Sequence, residues 1–265
     1  MTNLQVIILA IVQGLTEFLP ISSSGHLVLV PYFFDWQDQG LAFDVAVHFG
    51  SLLAVILFFR RDIAGLIRGG FQVLGGTVNT IESRLALGIA LGTIPAALAG
   101  LLFMDWIEAN LRSPKVIVAT LAGYAVLMIL ADRYGKRERE ISSVRIRDAF
   151  LIGIAQALAL VPGTSRSGVT ITAGRFLGFE RQDAARFSFL LAVPVILLAT
   201  GYSLLGLLQQ EAPVPWAQLA IGVAVSAIVA YLAIEFFMRF VSRIGLLPFA
   251  IYRFALVAII LYVLA

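Results

Sequence analysis

Two stretches, "QGLTEFLPISSSG" at residues 13–25 and "QALALVPGTSRSG" at residues 156–168, decide how this chain folds. They have equal length, and without gaps Gln13 lies over Gln156, Leu15 over Leu158, Ser22 over Ser165, Ser24 over Ser167 and Gly25 over Gly168. Each is an apolar helix cut by a proline and followed by a serine-rich turn. A second apolar arm follows each turn, "HLVLVPYFF" and "VTITAGRFLGF", and neither arm is long enough to cross a bilayer alone. Irregular backbone at membrane depth survives only where it is buried in protein or faces water. The two stretches therefore read as re-entrant helix–turn–helix hairpins, about 4–34 and 149–180, entering from opposite sides with their tips meeting.

The rest of the chain supports a membrane setting. Of 265 residues, 60% are hydrophobic and 13% charged, far from the balance of a soluble domain. Continuous apolar runs at 44–59, 85–104, 114–131, 185–208, 217–238 and 246–265 predict six transmembrane helices, and short alternating barrel strands are not seen. There is no cysteine, so thiolate chemistry and disulfides are excluded. No basic leader precedes the first apolar run, so no cleavable signal peptide is expected. The net charge of +3 gives no sign of a nucleic-acid partner. Lys and Arg are absent from residues 1–59 but crowd into 60–84, 132–148 and 239–245. These loops are expected on the cytoplasmic side, the connections 105–113 and 209–216 outside, and the C-terminus outside.

A second repeat agrees with the first. "RLALGIALGTIPAALAGLLF" (84–103) lies over "QLAIGVAVSAIVAYLAIEFF" (218–237), and the same offset carries Pro114 onto Pro248. "SLLAVILFF" (51–59) similarly resembles "FLLAVPVILL" (189–198). Residues 1–135 and 136–265 are thus expected to be two repeats in one membrane domain. With three full spans per half, the second repeat must be inverted, an arrangement that commonly encloses a polar site near the midplane.

The chemistry gathers at the tips. Gln13 and Glu17 share one helix face, being four residues apart. Ser22, Ser23 and Ser24 can cap the following helix, whose free N–H groups suit an anion. Gly25 lies beside them. The opposite tip supplies Thr164, Ser165 and Ser167 with Arg166, whose fork of donors matches phosphate, while Gly163 and Gly168 permit close backbone approach. Glu17 is an ionisable group inside an apolar run, a usual sign of function. One carboxylate, one imidazole (His26), one guanidinium and a set of hydroxyls suit a phosphate ester or anhydride. The blander assignments are close packing for Ser22 and Ser24, an ion pair for Glu17 with Arg166, and hydrogen-bond glue for Gln156. His48 stands between packing and support of the site.

At these residues the chain resembles the undecaprenyl-diphosphate phosphatase family, also called the bacitracin-resistance protein family. "QGLTEFLPISSSGHL" matches its first signature region and "PGTSRSGVTI" its second, and "FSFLLAVP" and "PFAIYRF" are similar to further family stretches. The resemblance implies hydrolysis of a C55 isoprenoid diphosphate at the outer (periplasmic) face of the bacterial plasma (inner) membrane. It also implies a divalent cation, Mg2+ or Ca2+, a homodimer, and contact with membrane lipid. It places catalytic roles on Glu17, Ser23, His26 and Arg166, and diphosphate binding on the two serine-rich turns. Gln13 occupies a family position otherwise taken by a carboxylate. As an amide it is no base and a weak metal ligand, which leaves Glu17 as the one carboxylate for metal or base work. Ser23 is the candidate nucleophile, with His26 as its base or as acid to the leaving group, or water attacks and Ser23 only donates a hydrogen bond.

Three rivals deserve weighing. A phosphohistidine phosphatase needs a histidine after its arginine, and none follows Arg166. A transporter or flippase for an anionic lipid would use the same tips, but needs no base beside a hydroxyl. A scaffold leaves charges at both tips unexplained.

Overall fold

The computed structural model describes residues 1–111, 113–208 and 215–264. Among these the chain is all helical, and its one β contact is an isolated bridge between Arg139 and Phe179. The first break separates α1 (Asn3–Thr16) from α2 (Ser23–Phe33). Then come α3 (Leu41–Phe58), α4 (Arg60–Leu74), α5 (Ile81–Asn110) and α6 (Pro114–Tyr134). The second break separates α7 (Ile146–Ala157) from α8 (Arg166–Phe176), and α9 (Arg181–Leu208), α10 (Trp216–Ile244) and α11 (Leu247–Leu264) follow.

Five helices, α3, α5, α6, α9 and α10, are long and apolar enough to cross a membrane. Two more apolar helices, α1 and α11, are shorter. The chain is a multi-pass helical membrane protein. The predicted run 246–265 falls on α11, with Ala265 outside the described residues, as is most of the predicted outer connection 209–216. Leu101 and Leu102 on α5, Leu197 and Leu198 on α9, and Ile228 and Leu232 on α10 expose most of their side chains. Such a belt of large apolar groups suits lipid, not water.

One helix was hidden from sequence. The loop expected over 60–84 contains α4, which packs on α5. Its charges (Arg60, Arg61, Asp62, Arg68) mask an apolar stripe in which Ile63 and Leu66 meet the core, three residues apart. Thr80 then opens α5 with a reciprocal cap on Ser83.

The core that positions the site is aromatic. Phe18, on the first break, meets Phe189 of α9 edge-on at 5.1 Å. Phe189 meets Phe237 of α10 at 5.7 Å, and Phe237 meets Phe249 of α11 at 5.3 Å. Such geometry adds about 0.5–1.5 kcal/mol per pair beyond burial. The first break is thereby clamped to three helices far away in sequence. The two halves also cross closely: a Cβ on Gly153 of α7 would run into the backbone of Gly92 on α5.

On the side expected to be cytoplasmic, the arginines are engaged. Arg181 donates to both oxygens of Asp132, at 2.6 and 2.8 Å, and the N–H of Leu246 joins them at 3.1 Å. Arg186 pairs with Asp62, and Arg175 donates to the carbonyl of Phe179.

Candidate active site

Both breaks use the same unusual backbone. Ser22 and Ser165 precede their helices at φ of 76° and 70°, in the left-handed region that disfavours side chains. The second turn adds Gly163 at φ 85°. Strain of this kind persists only where the surroundings enforce it. The cap expected of the first tip is seen instead at the second, where the Ser165 hydroxyl accepts from Gly168 N–H at 3.2 Å. Ser22 makes no such cap, because its hydroxyl turns toward Ser24 Oγ, 3.4 Å away. Gly25 lies against that hydroxyl, where a Cβ would stand 3.4 Å from it.

Glu17 is the hub. It continues the backbone of α1, its N–H bonded to Gln13, so both side chains emerge on one face as their spacing predicts. Oε2 accepts from Ser23 Oγ at 2.6 Å and from Gln13 Nε2 at 3.0 Å. Oε1 accepts from Arg166 Nη2 at 3.0 Å, across the two tips. Arg166 also reaches the Ser188 carbonyl and lies over the Phe18 ring, 5.6 Å from its centroid. Ser167 Oγ donates to the Leu19 carbonyl at 3.0 Å, joining the tips a second time, and pairs with Ser165 at 3.3 Å. Gln13, Glu17, Ser23 and Arg166 therefore meet, although 149 residues separate Glu17 from Arg166.

His26 does not join them. Its Nδ1 lies 2.7 Å from the Ser22 carbonyl and can only donate there, so Nε2 accepts from the Tyr252 hydroxyl at 2.6 Å. The rings stack at 5.6 Å. Both nitrogens are engaged, and the Ser23 hydroxyl donates to Glu17 instead. The expected pairing of Ser23 with His26 as its base is replaced by Ser23 with Glu17. Helix spacing alone could not reveal that Tyr252 on α11 would hold the imidazole.

Sequence reasoning also missed Arg253. Its side chain is fully buried and donates to five carbonyls: Pro20 (3.3 Å), Leu121 (3.1 Å), Thr120 (3.4 Å), Gly163 (2.9 Å) and Thr164 (3.1 Å). It thus grips both breaks and α6 at once, and among the described residues no carboxylate pairs with it. The signal was present as an arginine inside the apolar run of "PFAIYRF".

A cavity of about 310 Å3 opens beside the hub. Arg166, His48, Gln156 and Asp44 are its charged or amide side chains, and Ala96, Val195 and Ile196 form part of its apolar wall. Several buried polar atoms near the tips have no partner: Gln13 Oε1, both amide atoms of Gln156, and Thr164 Oγ1. Buried polar atoms are rarely left so. Among the described residues no three His, Cys, Asp or Glu side chains converge on a metal position.

A carboxylate on a serine hydroxyl, a guanidinium across from it and an apolar recess beside both suit one class of protein, a membrane hydrolase acting on an amphiphilic phosphate compound. The bacitracin resistance protein BacA family model matches residues 6–259. The chain belongs to that family. It is 52% identical over 264 residues to undecaprenyl-diphosphatase 2 of Stutzerimonas stutzeri (strain A1501), covering 98% of both chains. It is 51% identical to an undecaprenyl-diphosphatase of Thioalkalivibrio sulfidiphilus (97% of each chain) and 51% to one of Nitrosococcus oceani (99% of each).

Proposed function

We propose that the chain hydrolyses undecaprenyl diphosphate to undecaprenyl phosphate and inorganic phosphate, recycling the lipid carrier of peptidoglycan synthesis and giving bacitracin resistance. The observation that carries this reading is the Glu17 carboxylate held between the Ser23 hydroxyl and the Arg166 guanidinium. In the first step Ser23 Oγ attacks the terminal phosphorus while Glu17 takes its proton, and the P–O bond to undecaprenyl phosphate breaks. Arg166 lies where charge spreads over the transferring phosphoryl oxygens, and the hydroxyls and N–H groups of the turns at 22–25 and 163–168 bind the diphosphate. Glu17 passes the Ser23 proton to the departing undecaprenyl phosphate, and in the second step the carboxylate so regenerated takes a proton from water, which cleaves the phosphoserine and releases phosphate. His26 acts as a positioning residue, setting the Ser22 turn from α11.

The donor set suits a divalent cation. Gln13 Oε1 is buried without a partner one turn from Glu17, and magnesium sites commonly join one or two carboxylates to substrate phosphates. Glu17 and Gln13 would hold the ion, Mg2+ or Ca2+, which supplies charge neutralisation on the diphosphate when bound.

The membrane arrangement is part of the proposal. α1–α2 and α7–α8 are re-entrant hairpins of two inverted repeats, 1–135 and 136–265, with α11 as a sixth span. Supporting this are the matched sequences, the paired positive-φ serines and the contact of Ser167 with Leu19. The charge bias favours an active site open to the periplasmic side of the inner membrane. Pairing as a homodimer rests on family resemblance. A flippase has no use for the Glu17–Ser23 contact, which favours hydrolysis over transport.

The test is phosphate release from a C55 or C15 prenyl diphosphate by purified protein in detergent, with and without EDTA. Glu17→Gln and Arg166→Ala are expected to lose at least about a hundredfold in kcat/KM. Release that survives both substitutions sinks the site, and no release by folded wild type sinks the enzyme.

A further inference from the structure

We propose that Gln156 binds the phosphate next to the prenyl chain, the one that departs, and so lets the site recognise a diphosphate rather than a monophosphate. This rests on the phosphatase reading above. Glue between helices, the plainer expectation for this amide, needs a hydrogen-bond partner, and neither its Oε1 nor its Nε2 has one.

Gln156 stands on the inward face of α7. Gly153 and Ile152, three and four residues back, are buried on that face, and Gln156 itself is 2% exposed. The matched amide of the first break is in a different position: Gln13 donates to Glu17, four residues on. Four residues after Gln156 comes Leu160, whose side chain can accept nothing. From α5 and α9 the same cavity wall receives Ala96 and Ile196, which are equally without acceptors in their side chains. Leaving a buried amide open costs about 1–3 kcal/mol. Local rules of this kind are broken in natural proteins mainly where a function uses the group.

The place of this amide selects the ligand. Gln156 lines the cavity of about 310 Å3 together with Arg166 and Leu160. When Ser23 attacks the terminal phosphorus, the departing oxygen lies in line on the far side. The prenyl chain beyond it needs apolar surroundings, which Leu160, Ala96 and Ile196 offer. The phosphate between these two ends meets the wall that Arg166 and Gln156 share. The Nε2 donors suit its oxygens, and an uncharged amide holds the monoester product less tightly than a second guanidinium would. A monophosphate seated at the serine turns leaves Gln156 empty. The alternative is that an internal water fills the amide and the residue serves only packing.

Two ligands separate these readings without turnover. Farnesyl methylenebisphosphonate fills both phosphate positions and is not cleaved, whereas inorganic phosphate fills the terminal one alone. Binding of the first to the full-length chain in detergent is measured by calorimetry at fixed Mg2+, and that of the second by its displacement of the first. Gln156→Met removes both amide functions at nearly the same shape. It is expected to weaken bisphosphonate binding at least about tenfold and phosphate binding less than about twofold. The melting temperature without ligand should stay the same or rise, since an unpaired buried amide gives way to an apolar group. Unchanged bisphosphonate affinity overturns the proposal, as does equal weakening of both ligands. A lower melting temperature or a failure to fold overturns it too, because the amide then holds helices together. Wild type that binds no bisphosphonate also defeats it, and if that protein still releases phosphate from farnesyl diphosphate the phosphatase reading stands. Bisphosphonate bound through Gln156 with no release from the diphosphate does the reverse.

Discussion

Glu17 has two oxygens and three hydrogen-bond donors on them, so replacing it disturbs more than a proton acceptor. Ser23→Ala separates nucleophile from mere donor. As nucleophile its loss should lower kcat by about 10^3 or more; as a donor, by about tenfold. Steady-state phosphate release checks this, and trapping of phosphoserine in acid-quenched wild type provides the independent sign. Arg253→Met would leave the carbonyls of Pro20, Gly163 and Thr164 without this donor at the two breaks, while those of Thr120 and Leu121 lie inside α6. A loss of at least about 3 kcal/mol is expected, read as thermal unfolding in detergent. Arg253→Lys keeps the charge but offers only three donors, and should recover part of that loss. At this scale the sequence was informative where partners are near in the chain. Gln13, Glu17 and Ser23 could be placed together because one turn and one break separate them, and Arg166 because the repeat matched its tip to theirs. The Tyr252 partner of His26 was not foreseen and Arg253 was overlooked for the same reason: these contacts depend on where α11 docks.

The breaks, rather than the spans, carry the candidate site. Each interrupts a helix with a proline and restarts it on a positive-φ serine, so that side chains meet inside the membrane domain. Gly163→Ala tests how much strain the second break tolerates. Its φ of 85° disfavours a side chain, and the new Cβ would meet the Thr120 hydroxyl and stand 2.9 Å from the Ile117 carbonyl. A cost of about 1–3 kcal/mol is expected from the backbone alone. The shift should also displace Arg166, so activity falls more steeply than the melting temperature. Helices of uninterrupted apolar residues were legible from composition and length. α4 was not, because its charges dominate the local average and its apolar stripe is only one face wide.

For the molecule as a whole, the absence of cysteine makes the proposed topology directly measurable. Single cysteines at the exposed positions Asp38 and Lys136 should respond oppositely to a membrane-impermeant maleimide added to intact spheroplasts. Asp38→Cys is expected to be labelled, and Lys136→Cys only after lysis. Labelling of both, or of Lys136→Cys alone, refutes the assigned orientation. The all-helical membrane class was readable because long continuous apolar runs mark it in composition and length. The candidate site was half readable, since matched segments say which stretches correspond but not which side chains touch. The grip of Arg253 on both breaks bears on timing as well. It follows every other site residue in the chain, and its five acceptors lie 89 to 233 residues upstream. A growing polypeptide contains both breaks before this guanidinium exists. The two tips acquire their common anchor only when the last helix docks, so the proposed site is complete only once synthesis is almost finished.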